Sequence, residues 1–333
     1  MAGFPVIQIT EGEWTSVKYW DVLGVKIPSF FTKDPEVLAD YISRFETRPD
    51  DVFVVSYPKS GTTWVQEIVW QIYNQGAIST ERQMFRFPYF EGAACSAVRE
   101  MLVDFKTLPS PRLMKTHLPY PTTPKSAKKD AQCKYIYVVR NPKDVAVSYF
   151  HFMEDWRKLG IFDYSGPWEF ACKLFIEGNG NGISALVPHM SIGRRRLLYC
   201  ILLSNILLSV VAWNAWNDHV LDWWKHKDDP NVLFLKYEDL HKDSPLHVRM
   251  IANFLNKQLS DELINRIAEQ CTFKNMKKNE ISYKIRNEDS SLLLRKGVVG
   301  GWKNYFTPEL NERFEKEVLE KLKGTGLEFD FEI

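Results

Sequence analysis

The stretch VFVVSYPKSGTTW, Val52 to Trp64, decides the reading of the fold. Val52, Phe53, Val54 and Val55 are β-branched or aromatic and predict a short buried strand. Ser56 to Gly61 bring turn chemistry, and Thr62 opens an apolar-periodic run that predicts a helix. Pro58 and Gly61 bend the backbone, Lys59 sits at the bend, and Ser60, Thr62 and Thr63 bring hydroxyls to the helix start. A helix N-terminus combines unpaired N–H groups with the positive end of the dipole, so this strand, loop and helix suit a phosphate. An ordinary strand-to-helix turn is the competing reading. The residues do not spell GxxxxGK[ST], because Lys59 precedes Gly61.

Working outward, Val65, Ile68, Val69 and Ile72 give the helix one apolar face to pack on a sheet. Three further strands are predicted, each running into polar residues. Arg112 to Thr116 leads into His117, with Lys115 at its end. Tyr135 to Val139 leads into Arg140, then Asn141 as N-cap and Pro142 in the first turn of a helix, Lys143 to Trp156, that carries Ser148. Val232 to Lys236 leads into Tyr237, Glu238 and Asp239. Strands alternating with helices predict an α/β fold, a mainly parallel sheet with helices on both faces. Ligands of such sheets gather at the carboxyl ends of the strands, where Lys59, Lys115, His117 and Arg140 would all stand. A lone His is most often structural; a Lys and a His two apart at a strand end leave both readings open.

Helices are also expected at Pro35 to Phe45, Leu246 to Leu255, Ser260 to Glu269 and Pro308 to Leu322. Periodicity assigns nothing between residues 77 and 110. Residues 287–301 read as a loop in which Arg295 and Lys296 stand beside Gly297, Gly300 and Gly301, a composition that lets backbone approach an anion. The N-terminal aromatics Trp14, Tyr19, Trp20, Phe30 and Phe31 are expected to cover the core, with a pocket lining as the alternative.

A chain of 333 residues can bury a full core, and without a low-complexity linker residues 1–333 read as one domain. A net charge of +1 at 26% charged residues excludes a global attraction to nucleic acid or a membrane surface, so any anion must be held locally. The five cysteines are scattered and never in CxxC spacing, which argues against a disulfide framework or a zinc site and gives no metal. MAGFPVIQITEGEW does not read as a secretory signal, and a cytoplasmic location is expected.

Four of these stretches, in this order, resemble the cytosolic sulfotransferases, and the resemblance covers nearly all of the chain. YPKSGTTW (Tyr57 to Trp64) is similar to that family's 5'-phosphosulfate loop and KTHLP (Lys115 to Pro119) to its catalytic strand end. RNPKDVAVSYFHF (Arg140 to Phe152) and RKGVVGGWK (Arg295 to Lys303) are similar to its 3'-phosphate segments. The resemblance implies transfer of a sulfuryl group from 3'-phosphoadenosine 5'-phosphosulfate to a hydroxyl or amine of a small acceptor. It implies that Lys59, Ser60, Gly61, Thr62 and Thr63 hold the 5'-phosphate, and Arg140, Ser148, Arg295, Lys296 and Gly297 the 3'-phosphate. Trp64 and Phe273 would flank the adenine, with Tyr237, Thr272 and Met276 beside it. His117 would be the general base, Lys115 and Lys59 would offset charge on the bridging oxygen, and Tyr89, Phe152 and Phe30 would line the acceptor pocket.

Two departures from the family pattern stand out. The resemblance implies a homodimer segment KxxxTVxxxE; Lys303, Thr307 and Glu312 keep the spacing, but Pro308 replaces the Val and puts a backbone pairing there in doubt. About Gly180 to Val210 is extra: three arginines (Arg194, Arg195, Arg196) precede an apolar run from Leu197 to Trp213, interrupted by Ser204, Asn205 and Ser209. That run reaches only the lower limit for a bilayer span, roughly 17–25 residues. A buried or partner-binding helix is expected instead, with a translated intervening segment as a further reading. The rival functions are a nucleotide-binding relative disabled by the extra segment and a P-loop-like kinase.

Overall fold

In the computed structural model the described residues are 4, 6–94, 102–126, 128, 132–178, 212–284 and 293–333, so the extra segment at about 180–210 lies outside them. Among the described residues nine strands follow in chain order: β1 Val6–Ile7, β2 Thr10–Glu11, β3 Trp14–Thr15, β4 Tyr19–Val22, β5 Val25–Pro28, β6 Val52–Val55, β7 Leu113–Thr116, β8 Lys134–Val139 and β9 Val232–Lys236. The last four form a parallel sheet in the order β7-β6-β8-β9. All four residues of β6 are buried, as a β-branched run with no polar alternation requires of a central strand covered on both faces.

Side chains alternate across the sheet and build two cores. Phe53, Val55, Tyr135, Tyr137 and Val139 face one way, toward the helices Pro142–Lys158, Trp168–Gly178 and Trp216–Trp224. Val52, Val54, Ile136, Val138 and Leu235 face the other, toward the helices Thr62–Tyr73, Ser244–Phe254 and Asp261–Gln270. The expected mainly parallel sheet with helices on both faces is therefore what the chain forms.

Several boundaries move for physical reasons. Arg112 stands just before β7, and its guanidinium is buried in a two-pronged pair with Asp51, Nε to Oδ1 at 2.7 Å. The helix expected from Lys143 begins at Pro142, because the Asn141 side chain accepts from Asp144 N–H and Pro needs no donor at N1. The helix from Pro308 stops at Glu317 and continues as a separate 3₁₀ turn, Leu319–Leu322. Thr307 is its N-cap and Pro308 its first residue, the position where Pro fits.

The N-terminal region holds strands that periodicity did not assign. β4 and β5 form an antiparallel hairpin through Leu23 and Gly24, both at positive φ, with β1 added alongside. Tyr19 and Phe31 are buried in the core and Phe30 packs against it, as expected, and Phe30 and Phe31 also line the cavity described next. In the unassigned 77–110 stretch, Tyr89 forms a parallel bridge to Lys115, so this loop adds itself to the free edge of β7. Among the described residues no helix is long and apolar enough to cross a membrane.

Candidate active site

Because β6, β7 and β8 run parallel with Val55 paired to Thr116 and to Tyr137, their carboxyl ends form one rim. The residues that follow, Ser56–Gly61, His117 and Arg140, meet there by construction. Of these, Pro58, Lys59, Gly61, His117 and Arg140 line a cavity that also takes in Tyr237, after β9, and the loop at 293–297.

At the loop after β6, Lys59 has a φ of 70° and Gly61 one of 109°. A Cβ on Gly61 would meet the Tyr237 ring at 2.6 Å, so a glycine is needed both for the turn and for the close approach. Thr62 Oγ1 bonds Ser56 Oγ at 2.5 Å across the base of the loop. Lys59 Nζ lies 4.6 Å from the Phe152 ring centroid, and Lys115 Nζ lies 4.6 Å from that of Tyr89. Burial, helped by the cations of Lys115, Arg295 and Arg140, lowers the Lys59 pKa to about 7. Burial lowers Lys115 to about 8, against the opposing pull of Glu91.

His117 is fixed on its inner side. Its Nδ1 lies 2.7 Å from the Ser56 carbonyl oxygen, which can only accept, so Nδ1 carries the proton and Nε2 the lone pair. Burial first, and Lys115 second, hold its pKa well below the usual histidine value, so the ring is neutral at pH 7.

At the other end, Arg140 donates to the Val298 carbonyl at 2.7 Å and pairs with Asp144 at 3.3 Å. Asp144 in turn accepts from the N–H groups of Gly300 at 2.9 Å and Trp302 at 3.0 Å, tying the glycine-rich loop to the helix that starts after β8. A Cβ on Gly297 would come within 2.4 Å of the Phe273 ring. Ser60 Oγ, Trp64 Nε1, Arg140 Nε and Arg295 Nε are buried without a hydrogen-bond partner among the described residues. Buried donors left in this state are costly unless something meets them, and Trp64, Arg140 and Arg295 are among the residues that line the cavity.

The sulfotransferase domain model matches residues 49–326, most of the chain. The chain belongs to the sulfotransferase family. It is 36% identical over 303 residues to sulfotransferase 1B1 of Canis lupus familiaris, covering 88% of this chain and 90% of that one. It is also 36% identical over 307 residues to the amine sulfotransferase of Oryctolagus cuniculus, covering 89% and 88%. The crystal structure of a mouse sulfotransferase complexed with PAP superposes with a TM-score of 0.66 at 32% identity, covering 91% of this chain and 93% of that one.

Of the residues singled out in the sequence, this sulfotransferase brings Lys59, Gly61, Thr62, Thr63, Trp64, Lys115, His117, Arg140, Ser148, Tyr237, Phe273, Met276, Arg295, Lys296 and Gly297 to the one cavity, together with Phe30, Tyr89 and Phe152. Two stand apart from the lining. Ser60 is buried beneath the loop, and Thr272 caps the short helix Phe273–Lys278 by accepting from Asn275 N–H at 3.4 Å. Sequence reasoning missed Trp156, Phe162 and Trp213, which complete the aromatic wall with Phe31, for which a pocket lining was the alternative reading, and His241, whose ring centroid lies 4.8 Å from that of Trp64. It also missed Glu91 and His219, which touch the His117 main chain. Trp213 carried no signal because it sits at a positive φ of 59° in a turn anchored through Asn214 to Lys26 and Gly24, far away in sequence.

Proposed function

We propose that this sulfotransferase acts in the cytosol, moving the sulfuryl group of 3'-phosphoadenosine 5'-phosphosulfate to the hydroxyl or amine of a small acceptor. The observation that carries this reading is the single cavity that joins two basic clusters, Lys59 with Lys115 and Arg140 with Arg295 and Lys296, to the bare Nε2 of His117. A nucleotide with phosphates at both ends of its ribose needs two such clusters, and the buried unpartnered donors of the site are what an anion would satisfy. When bound, the donor supplies a sulfuryl group on a phosphate leaving group.

The chain's own residues then have three tasks. His117 Nε2 takes the acceptor's proton as the new bond to sulfur forms, a contribution of about 10²- to 10⁴-fold for a general base. Lys59 and Lys115 oppose the negative charge that builds on the departing phosphate oxygen, which preorganised cations do without reorganising. Phe30, Phe31, Phe152, Trp156, Phe162 and Trp213 wall the acceptor end and exclude water. Among the described lining residues there is no Asp or Glu, which favours a neutral, flat acceptor over a cation.

Calorimetric titration with 3'-phosphoadenosine 5'-phosphate beside adenosine 5'-phosphate tests the donor assignment. Tight binding of the first and weak binding of the second supports it; equal affinities overturn it.

A further inference from the structure

Two buried side chains hold the main chain of His117. Its N–H donates to Glu91 Oε1 at 2.7 Å, and its carbonyl oxygen lies 2.9 Å from Nε2 of His219. A carbonyl cannot donate, so His219 Nε2 carries a proton. His219 is fully enclosed, and burial lowers its pKa to about 4, so the ring is neutral and Nδ1 is bare. The Tyr137 hydroxyl, 2.9 Å from Nδ1, is then the donor. A directed chain of bonds results: Tyr137 O–H to His219 Nδ1, and His219 Nε2–H to the His117 carbonyl. Tyr137 lies in β8, His219 in the Trp216–Trp224 helix and His117 after β7, so three separate segments meet in it. An apolar side chain in place of the imidazole would leave the buried carbonyl of His117 without the donor that holds it, on the very residue whose position the chemistry depends on, and would take from the Tyr137 hydroxyl the acceptor of its proton.

We propose that His219 is a positioning residue for sulfuryl transfer, holding the His117 main chain through Nε2–H while the Tyr137 hydroxyl donates to its Nδ1 and fixes the ring from the other side. The proposal rests on the reading of His117 as the base.

The experiment uses the full chain and the variants His219→Gln, His219→Leu, Tyr137→Phe and His117→Ala. Turnover, acceptor KM, nucleotide affinity and melting temperature are measured for each, with long-range nitrogen NMR of the imidazoles. His219→Leu should lose about 10²-fold in kcat at unchanged nucleotide affinity, since sub-ångström to ångström misplacement of a catalytic group costs that order, while His219→Gln, whose amide N–H can reach the same carbonyl, should keep most of the activity. In the NMR spectrum His219 should be a pure Nε2–H tautomer and stay so in Tyr137→Phe, because the His117 carbonyl still requires a donor. Wild-type turnover in His219→Leu, equal losses in the Leu and Gln variants that track melting temperature, or an Nδ1–H tautomer at His219 would each overturn the proposal. A dead His117→Ala beside a fully active His219→Leu sinks the positioning role alone. A fully active His117→Ala removes the base assignment and this proposal with it.

Discussion

His117 donates from Nδ1 to the carbonyl oxygen of Ser56 at 2.7 Å, so the last polar residue of one strand end orients the side chain of its neighbour. The parallel register that sets Val55 beside Thr116 makes this bond almost unavoidable once the sheet forms. Fold and reactive tautomer are therefore established together: the backbone of the phosphate-loop strand decides which imidazole nitrogen faces the cavity.

The Arg140 and Lys296 side chains should read the 3'-phosphate. Hydrogen bonds to charged groups contribute about 1.5–3 kcal/mol, so Arg140→Ala should weaken 3'-phosphorylated nucleotides roughly ten- to a hundredfold and leave those without a 3'-phosphate little changed. Lys296→Ala should act in the same direction but less, because Lys296 is exposed and better screened. Titration of both nucleotide types checks this, and equal weakening would remove the assignment.

Nucleotide affinity should depend on pH through Lys59. Its pKa in the free protein is about 7, and an anion beside it favours the charged form, so the bound pKa is higher. Affinity should be at its full value below pH 7 and fall as pH rises from 7 toward that bound value, with net proton uptake on binding at pH 8. Calorimetry in buffers of different ionisation enthalpy measures the uptake. Lys59→Met should remove the part of the dependence centred near 7 and leave a later part from Lys115, whose pKa is about 8.

The glycines of the two loops are not equivalent to other glycines. Gly61→Ala puts a methyl 2.6 Å from the Tyr237 ring at a φ of 109°, a strained placement that should cost on the order of 1–3 kcal/mol of stability and weaken nucleotide binding. Gly24→Ala, at a φ of 79° with nothing within 4 Å of the added carbon, should cost less and leave binding intact. Denaturant melts with and without nucleotide separate the two cases.

Asp51 carries stability rather than chemistry. It accepts from Arg112 Nε at 2.7 Å and from Arg48 N–H at 2.7 Å, and both members of the Asp51–Arg112 pair are buried. Asp51→Ala strands a buried guanidinium and should destabilise the fold by about 3–5 kcal/mol, read as a lower denaturation midpoint.

What the sequence made legible follows from locality. The four parallel strands were readable because each is a short β-branched or aromatic run bounded by turn chemistry, and Lys59, His117 and Arg140 were readable because each stands in the segment that follows such a run. His219 and Glu91 were not, since their roles depend on contacts to His117 that span 102 and 26 positions and leave no local period. The hairpin of β4 and β5 was missed for another reason: its turn places Leu23 at a φ of 56°, where turn statistics expect Gly or Asn. Tyr89 was assigned to the acceptor pocket by resemblance alone, and its backbone bridge to Lys115 supplies a physical reason for its place.

The most direct measurement is transfer of labelled sulfuryl from 3'-phosphoadenosine 5'-phosphosulfate across a panel of phenols, aliphatic alcohols and amines, run with the full chain and with His117→Ala at equal nucleotide saturation. Label should appear on at least one acceptor with the full chain and vanish with His117→Ala, whose affinity for the desulfated nucleotide stays as it was. Full transfer by His117→Ala, or tight nucleotide binding by the full chain with no transfer to any acceptor class, would contradict the assignment.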